Sequence, residues 1–386
     1  MINRITLFRT TKRIVFGLGA IEKVGAEVQG LKKKKVLVVT DPGIVQAGLL
    51  EPLKTSLQAA NIPFALFDGV EPDPRLEVVR QCAELGRKEG VEALIGYGGG
   101  SSLDIAKVAA VLLTNEGDLT QFFGIDLIPN PGLPVILIPT TAGTGSEVTP
   151  IAILSDTREK LKKGIVSPYL FPEVALLDPQ LTVGLPPLVT ALTGLDALIH
   201  AIEAYTSVNA FDLTDHLAFR ALELLYDNIR TAYARGEDLE ARSKMLEGSL
   251  LAGIAFANAG VTAVHAFAYP LGGEFHLAHG LANSVMLPHV MRFNLLGNLP
   301  KFADIGSALG LDTEHLTDKE AALEALEAVE DLMEDLTIPR RLRDLNIPQE
   351  AIPSLAEGVM KVTRLLANNP RRITLEDARR IYEEAW

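Results

Sequence analysis

Residues 92–113 read EALIGYGGGSSLDIAKVAAVLL, and they indicate the fold of the amino-terminal half of the chain. It predicts a buried strand, three glycines at positions 98, 99 and 100, and a helix capped by Ser101 or Ser102. Glycines at such a junction let a phosphate approach the backbone, where free helix amides and the helix dipole favour negative charge. The order differs from the GxGxxG motif, so the cluster alone is a weak signal. It predicts a phosphate-binding turn.

The periodicity of the chain changes near its middle. Up to about residue 185, short β-branched runs alternate with amphipathic helical stretches, which is typical of a parallel sheet. The other clear strands are KKVLVVT before Asp41, PFALFDG from Pro63, PVILIPT from Pro134 and VALLD ending at Asp178. Helical periodicity then continues to Trp386. We predict an α/β domain with a mostly parallel dinucleotide-binding sheet over residues 1–185, and an all-helical domain over residues 186–386.

The composition excludes several classes of partner. The formal net charge of −13 disfavours nucleic acid and anionic membrane surfaces as partners. The single cysteine, Cys82, rules out an internal disulfide and suits a reducing compartment. The first 20 residues lack the apolar stretch of a signal peptide, and no segment is expected to span a membrane. We therefore expect a cytoplasmic protein with no nucleic-acid or membrane partner.

Two further features at strand ends predict a polar ligand at the sheet. The loop PTTAGTGSE, from Pro139 to Glu147, follows a predicted buried strand and carries several hydroxyl groups and two glycines. Asp41 ends the strand KKVLVVT, where a carboxylate can accept hydrogen bonds from a ribose diol and repel a 2′-phosphate. This favours NAD over NADP. A turn-forming Asp before Pro42 and Gly43 is the structural alternative.

A cluster of potential metal ligands lies in the second half of the chain. In TGLDALIHAIEAY, Asp196 and His200 are four residues apart, so both leave the same face of a helix. Alone, such a pair is more often an ordinary hydrogen-bonded pair. However, the apolar run VHAFAYPLGGEFHLAHGLANSVMLPHV carries four of the seven histidines, which would be unfavourable to bury without partners. Three imidazoles and one carboxylate would suit Fe²⁺ or Zn²⁺, and ligand type does not separate these metals.

Together, GGGSSLDIAK, PTTAGTGSE, TGLDALIHAIEAY and HGLANSVMLPHV are highly specific. By them the chain resembles the iron-containing (group III) alcohol dehydrogenases over essentially its whole length. That family includes lactaldehyde reductase, 1,3-propanediol and butanol dehydrogenases and, more distantly, dehydroquinate synthase, whose fold type is implied here. The resemblance implies an active site between a nucleotide-binding domain and a helical metal-bearing domain. It places the four metal ligands at Asp196, His200, His265 and His279, leaving His276 and His289 outside the ligand set.

The resemblance also implies contacts with NAD. They fall on Asp41, Gly98, Gly99, Gly100, Ser101, Asp104, Thr140, Thr141, Thr144, Ser146 and Lys162, of which Lys162 is the least secure match. The chain departs from the family pattern at Tyr269, where many members have a histidine proposed to help relay a proton. Four residues after His265 on a helix, Tyr269 would share its face, so we include it among the catalytic residues.

The implied activity is hydride transfer between NAD and a small primary alcohol or diol, or its aldehyde, with the metal as Lewis acid on the substrate oxygen. The alternative is a lyase or cyclase resembling dehydroquinate synthase, or a non-catalytic relative. An anionic sugar substrate would need Lys and Arg, whereas residues 191–290 carry only Arg220, Arg230, Arg235, Arg242 and Lys244, away from the ligand motifs. We expect a homo-oligomer, most simply a dimer.

Overall fold

The computed structural model describes residues 5–156 and 161–386. The chain forms two compact units, one of residues Thr10–Leu185 and one of Pro186–Trp386 together with the segment before Thr10. The predicted domain 1–185 differs from the first unit in that segment. The amide of Arg9 donates to Oδ1 of Asn258 over 2.7 Å, and Nδ2 of Asn258 donates to the Arg9 carbonyl over 2.9 Å. These two bonds attach the segment to a helix of the second unit.

The first unit has the predicted α/β fold. Its described strands are β1 Arg13–Phe16, β2 Val36–Val39, β3 Phe64–Phe67, β4 Ala93–Gly98, β5 Gly124–Ile125, β6 Val135–Pro139, β7 Ile151–Asp156, β8 Leu161–Val166 and β9 Val174–Leu177. Six of them form a parallel sheet in the order β1-β9-β6-β4-β2-β3. The α-helices of this unit are α1 Val24–Gly30, α2 Pro42–Gln46, α3 Leu50–Ala59, α4 Leu76–Glu89 and α5 Gly100–Leu112. Each predicted strand is present in the sheet.

Both faces of this sheet are buried. In β2, Leu37 and Val39 pack into the core on one face, and Val36 and Val38 pack into the core on the other. Strands covered on both faces read as continuous apolar runs, which is why VLVV and its neighbours were recognisable. The edge strand β1 is largely exposed, and β7 pairs antiparallel with β8 in a separate small sheet that also includes β5. These four strands were not predicted.

The second unit is helical, as predicted. Its described α-helices are α6 Pro187–Thr206, α7 Asp212–Ala234, α8 Leu239–Ala259, α9 Ala263–Phe275, α10 His279–Asn294, α11 Leu299–Ala308, α12 Asp318–Asp335, α13 Ile352–Lys361, α14 Thr363–Leu366 and α15 Leu375–Ala385. Helix α6 packs against α7, α8 and α10, and α9 packs against α10 and α13. By length and apolar composition α6 could span a membrane, but 78% of its apolar window is buried inside the unit. It is the core helix, so its polar side chains need partners.

Candidate metal and nucleotide sites

Three side chains from three helices converge in the helical unit. Asp196 lies on α6, His265 on α9, and His279 is the first residue of α10. One donor atom of each lies within 4.8 Å of the other two, and Oδ1 of Asp196 is 3.8 Å from Nε2 of both histidines. An ion about 2.0–2.2 Å from each donor atom would keep these atoms within about 4.4 Å of one another. The spacing is close to that of a single metal site.

A glycine lets α10 bring His279 to this point. A Cβ atom at Gly280 would lie 2.6 Å from the carbonyl oxygen of Leu192 on α6, which is closer than a real side chain could come. Only glycine therefore permits the first turn of α10 to approach α6 at this distance. The pair His279–Gly280 thus supplies both a donor atom and the close packing that places it.

The fourth predicted ligand, His200, lies beside this group rather than in it. It is buried, and its ring stacks on Phe256 and on His265 with centroid distances of 4.3 and 4.8 Å. It leaves α6 one turn after Asp196, as its spacing predicted. The structure therefore brings three of the four predicted ligand atoms together and places the fourth ring against them.

A buried nitrogen at the centre of the group fits a metal. Nε2 of His265 has no hydrogen-bond partner among the described residues, although the atom is shielded from solvent. Leaving such an atom unpaired is unfavourable by about 1–3 kcal/mol, and metal coordination would satisfy it. Imidazole nitrogens with one carboxylate oxygen form a donor set for Fe²⁺ or Zn²⁺ rather than for Mg²⁺ or Ca²⁺. The residues present fit the predicted ion.

Two residues that support the predicted ligands were missed in the sequence. Oε1 of Glu203 accepts hydrogen bonds from Oγ1 of Thr262 and the amide of Val264, both over 2.7 Å, and Oε2 contacts Nδ1 of His265. Nδ2 of Asn283 donates to Oδ1 of Asp196 over 2.8 Å. Glu203 could have been recognised from the sequence, because a carboxylate in a helix as apolar as α6 requires partners when it is buried.

The charges in this cluster stabilise one another. Burial opposes the ionised form of Asp196, but the surrounding histidines outweigh it and hold the pKa of Asp196 below its usual value. Burial likewise opposes ionised Glu203, yet His265, Thr262 and Val264 lower its pKa. In turn, Glu203 and Asp196 outweigh burial and raise the pKa of His265. The two carboxylates and His265 thus stabilise one another's charged forms.

The remaining histidines lie outside the group, as predicted. His276 is exposed at the end of α9, and His216 and His315 are exposed elsewhere on the unit. His289 is mostly buried, and desolvation lowers its pKa to about 4.

Tyr269 shares the face of α9 with His265, and its ring centroid is 6.4 Å from that of His279. The phenol therefore lies near the candidate site.

In the α/β unit, the predicted nucleotide residues gather at one edge of the sheet. Strand β3 adds to one side of β2 and β4 to the other, so the carboxyl ends of β2 and β4 flank the point where strand order reverses. Ligands of open parallel sheets bind outside such a point. Asp41 lies there, where its Oδ1 accepts from the amide of Ile44 over 3.1 Å and its Oδ2 from Oγ of Ser102 over 3.3 Å.

The three glycines serve different purposes. A Cβ atom at Gly98, whose φ is +146°, would lie 2.8 Å from Oγ of Ser102, and one at Gly100 would lie 2.7 Å from Cγ2 of Thr144. At Gly99 the nearest neighbour of a Cβ atom would be Thr141, 3.8 Å away, which is an ordinary van der Waals contact. Gly98 and Gly100 allow the loops to pack together, and Gly99 presents bare backbone.

The predicted cap of α5 was wrong. The helix begins at Gly100 with Gly99 as its N-cap residue, and no side chain caps it. Ser102 instead donates its hydroxyl hydrogen to Asp41. The strand runs directly into the helix without a serine between them, because glycine occupies the cap position. The first amides of α5 are consequently left without a side-chain acceptor, as an anion site requires.

The hydroxyl-rich loop of residues 139–147 is held against α5 by a buried polar network. Oγ of Ser146 donates to Oδ1 of Asp104 over 2.5 Å, and the amide of Ile153 donates to Oδ2 over 2.9 Å. Nζ of Lys107 donates to the carbonyls of Thr149 and Ile151 over 3.2 and 2.8 Å. Neither Lys107 nor Ile153 was predicted to matter. Asp104 and Ser146 hydrogen-bond to each other, so their most direct role is to hold the hydroxyl-rich loop against α5.

The other predicted cofactor residues differ in exposure. Thr140 is buried, with its amide donating to the carbonyl of Gly98 over 3.0 Å, whereas Ser101, Thr141 and Thr144 are partly exposed. Lys162 lies on β8 in the small sheet, and its ammonium group pairs with Asp73 over 2.6 Å. The structure thus groups the glycine turn with the hydroxyl-rich loop and places Lys162 on a separate element.

Comparison with known proteins identifies relatives along the whole chain. The family model described as "Iron-containing alcohol dehydrogenase" matches residues 11–179. The family model for the C-terminal domain of the same family matches residues 190–386. Sulfoacetaldehyde reductase of Bilophila wadsworthia is 42% identical over 364 residues, 94% of each chain. A crystal structure of 1,3-propanediol oxidoreductase is 41% identical, with a TM-score of 0.97 over 99% of this chain and 100% of that one. Sulfoacetaldehyde reductase from Bifidobacterium kashiwanohense, solved in complex with NAD⁺, is 30% identical, with a TM-score of 0.89 over 99% of each chain.

Proposed function

Because the chain belongs to the iron-containing alcohol dehydrogenase family, we propose that it transfers hydride between NAD(H) and a small primary alcohol or diol, or the corresponding aldehyde. The observation that carries this proposal is the convergence of donor atoms from Asp196, His265 and His279, of which the buried Nε2 of His265 has no hydrogen-bond partner in the described part of the chain. The relatives described above are oxidoreductases and give no support to the lyase or cyclase alternative.

The metal ligands of the proposal are Asp196, His200, His265 and His279. Three donor atoms already converge, and the ring of His200 packs beside them on His265. Fe²⁺, or Zn²⁺ in its place, would act there as a Lewis acid toward the substrate oxygen. The two buried carboxylates, Asp196 and Glu203, would favour a cation at this position.

Tyr269 completes the proposed set of catalytic residues. It lies one turn after His265 on α9, with its ring 6.4 Å from that of His279. We assign its hydroxyl to orient the substrate or carry a hydrogen bond to its oxygen. A phenol hydroxyl can both donate and accept a hydrogen bond, so the assignment is to hydrogen bonding with the substrate oxygen.

The α/β unit is proposed as the NAD-binding domain and the helical unit as the metal-binding and substrate domain. The start of α5 without a side-chain cap, and the bare backbone that Gly99 places at this start, support binding of the pyrophosphate there. Asp41 would accept hydrogen bonds from the ribose diol and repel a 2′-phosphate, which favours NAD. The further proposed contacts are Gly98, Gly100, Ser101, Asp104, Thr140, Thr141, Thr144, Ser146 and Lys162.

We place this activity in the cytoplasm and in a homo-oligomer, most simply a dimer. Burial raises the pKa of Cys82, so its thiol stays protonated and unreactive, as suits a reducing compartment. A closed homo-oligomer is the commonest state of soluble enzymes. Light scattering of the purified protein tests the second point.

Metal removal and restoration test the proposed activity. The protein is stripped with a chelator, supplied anaerobically with Fe²⁺ or Zn²⁺, and assayed for NADH oxidation with short aldehydes, hydroxyaldehydes and ketones. Activity that is lost on stripping and returns with one ion supports the proposal and names the metal. The matched variants His265→Ala and His279→Ala should lose metal and activity while they still bind NADH. Full activity in either variant, or no carbonyl reduced with either metal, would refute it.

A further inference from the structure

Glu203 uses both of its carboxylate oxygens within a small buried cluster. It is 1% exposed on α6, and Oε1 accepts from Oγ1 of Thr262 and from the amide of Val264, both over 2.7 Å. Oε2 contacts Nδ1 of His265. The side chain therefore joins the start of α9 to the imidazole that α9 contributes to the candidate metal site.

We propose that Glu203 is the positioning residue that fixes the tautomer of His265 for metal binding, an inference that rests on the proposed function. A neutral imidazole carries its proton on one nitrogen and a lone pair on the other. An ionised carboxylate only accepts hydrogen bonds, so its contact with Nδ1 requires the proton to be there. The lone pair is then left on Nε2.

The position of Nε2 shows why that tautomer matters. This atom lies 3.8 Å from Oδ1 of Asp196, belongs to the convergent group with His279, and has no hydrogen-bond partner among the described residues. A proton on Nε2 would occupy the position of the ion and remove the lone pair that binds it. A histidine that binds a metal through one ring nitrogen commonly donates its other N–H to a carboxylate.

Thr262 and Val264 determine which oxygen faces the histidine. Thr262 is the N-cap residue of α9, and the Val264 amide is one of the first amides of that helix. Since both donate to Oε1, the carboxylate cannot rotate without losing two hydrogen bonds. Glu203 thus also acts as a helix cap, and the experiment must separate this structural role from the proposed one.

Glu203→Gln makes that separation. The amide oxygen of glutamine can keep both bonds to Thr262 and Val264, so the cap is preserved. Its NH₂ group then faces Nδ1 of His265 and can only donate, which requires Nδ1 to be the acceptor and moves the ring proton to Nε2. The variant should retain the fold and select the tautomer that cannot bind metal.

Two readouts on metal-free protein labelled with ¹⁵N-histidine test this prediction. At an alkaline pH where the imidazole of His265 is neutral, nitrogen NMR shifts should place its proton on Nδ1 in the wild type and on Nε2 in Glu203→Gln, with signals assigned by comparison with His265→Ala. Competition with a chromophoric chelator should show that Zn²⁺ binds the variant about 10- to 100-fold more weakly. The matched control is Asp304→Asn. Asp304 lies on α11 and accepts a hydrogen bond over 2.9 Å from the hydroxyl of Tyr205, which lies on α6 as Glu203 does. It should bind Zn²⁺ as tightly as the wild type.

The outcomes are distinct. Equal Zn²⁺ affinity in Glu203→Gln and wild type, or a proton on Nε2 of His265 in the wild type, would overturn the inference and leave the proposed function standing. Failure of the wild type itself to bind Zn²⁺ or Fe²⁺ would instead overturn the proposed function. If Glu203→Gln does not fold, the wild-type tautomer still decides, and a proton on Nδ1 supports the inference.

Discussion

Asn283 donates a hydrogen bond from Nδ2 to Oδ1 of Asp196 over 2.8 Å, and the same nitrogen lies 3.1 Å from Nε2 of His279. Asn283 is fully buried and lies one turn after His279 on α10. A single amide therefore contacts donor atoms on two different helices. It stabilises the ionised form of Asp196 and ties α10 to α6 at the candidate metal site.

Replacing Asn283 by leucine, which is of similar size, should weaken metal binding. The carboxylate of Asp196 loses a hydrogen bond in a buried setting, so its orientation is no longer fixed. We expect the Zn²⁺ dissociation constant to rise by about 10- to 100-fold. Competition with a chelator measures it. Asn228→Leu is the control, because Nδ2 of Asn228 donates to the carbonyl of Leu224 within its own helix, away from the candidate metal site. Equal Zn²⁺ affinity in Asn283→Leu and wild type would contradict the assignment.

Gly280→Ala should disturb the same site through packing. The new methyl group would lie 2.6 Å from the carbonyl of Leu192, so α10 must move away from α6. Such overpacking typically destabilises a protein by about 1–3 kcal/mol, and here it would also displace His279. Urea denaturation and Zn²⁺ titration should both show a loss. Gly30→Ala provides the comparison, since a Cβ atom there meets no neighbour within 4 Å. A Gly280→Ala protein with unchanged stability and affinity would show that the helices adjust freely.

The glycines of the turn predict a contrast between two similar variants. Gly99→Ala adds a methyl group that would contact Thr141 at an ordinary van der Waals distance of 3.8 Å, and its φ of −75° suits alanine, so the melting temperature should stay unchanged. If the pyrophosphate lies over this backbone, NADH binding should weaken by at least tenfold, about 1.4 kcal/mol. Gly100→Ala should lower stability as well, because its methyl group would meet Thr144 at 2.7 Å. Unchanged NADH affinity in Gly99→Ala would place the phosphate elsewhere.

The sequence predicted the strands best where they are buried on both faces of the sheet. The central strands β2, β4, β6 and β9 were recognisable because both faces of the sheet are buried, whereas β1 was not, since its RIVF run is largely exposed at the sheet edge. The paired strands β7 and β8 lacked buried continuity, with β7 alternating between buried and partly exposed residues.

The candidate metal site shows the same limit. The histidine-rich segment was recognisable because imidazoles buried in an apolar run need partners. The family resemblance then selected Asp196, His200, His265 and His279 as the ligand positions. Glu203 and Asn283 act through tertiary contacts that join α6 to α9 and α10, over sequence separations of 62 and 87 residues. The spacing of residues along one helix does not predict contacts between residues so far apart in the sequence. The cap of α5 was mispredicted for a related reason, because Ser102 bonds across the loop to Asp41 instead of to its own helix.

Glu147 predicts how stability should vary with pH. It is fully buried in the hydroxyl-rich loop, its Oε1 has no partner among the described residues, and desolvation raises its pKa from 4.5 to about 7. The folded state therefore holds this proton between about pH 4.5 and 7, whereas the unfolded state releases it. Stability from this group is greatest below pH 4.5 and declines as the pH rises toward 7, by up to about 3 kcal/mol.

The variant Glu147→Gln removes this dependence. Urea denaturation at pH 5, 6 and 7 should show the free energy of unfolding of the wild type falling relative to that of the variant as the pH increases. Nearby Lys107, whose pKa is lowered to about 8 by burial, stays mostly charged over this range and so does not reverse the sign. Glu116→Gln is the control, because Glu116 is exposed and its charge is solvated in both states. A constant difference between wild type and Glu147→Gln from pH 5 to 7 would mean that Glu147 is ionised throughout in the folded protein, with its charge neutralised by Lys107.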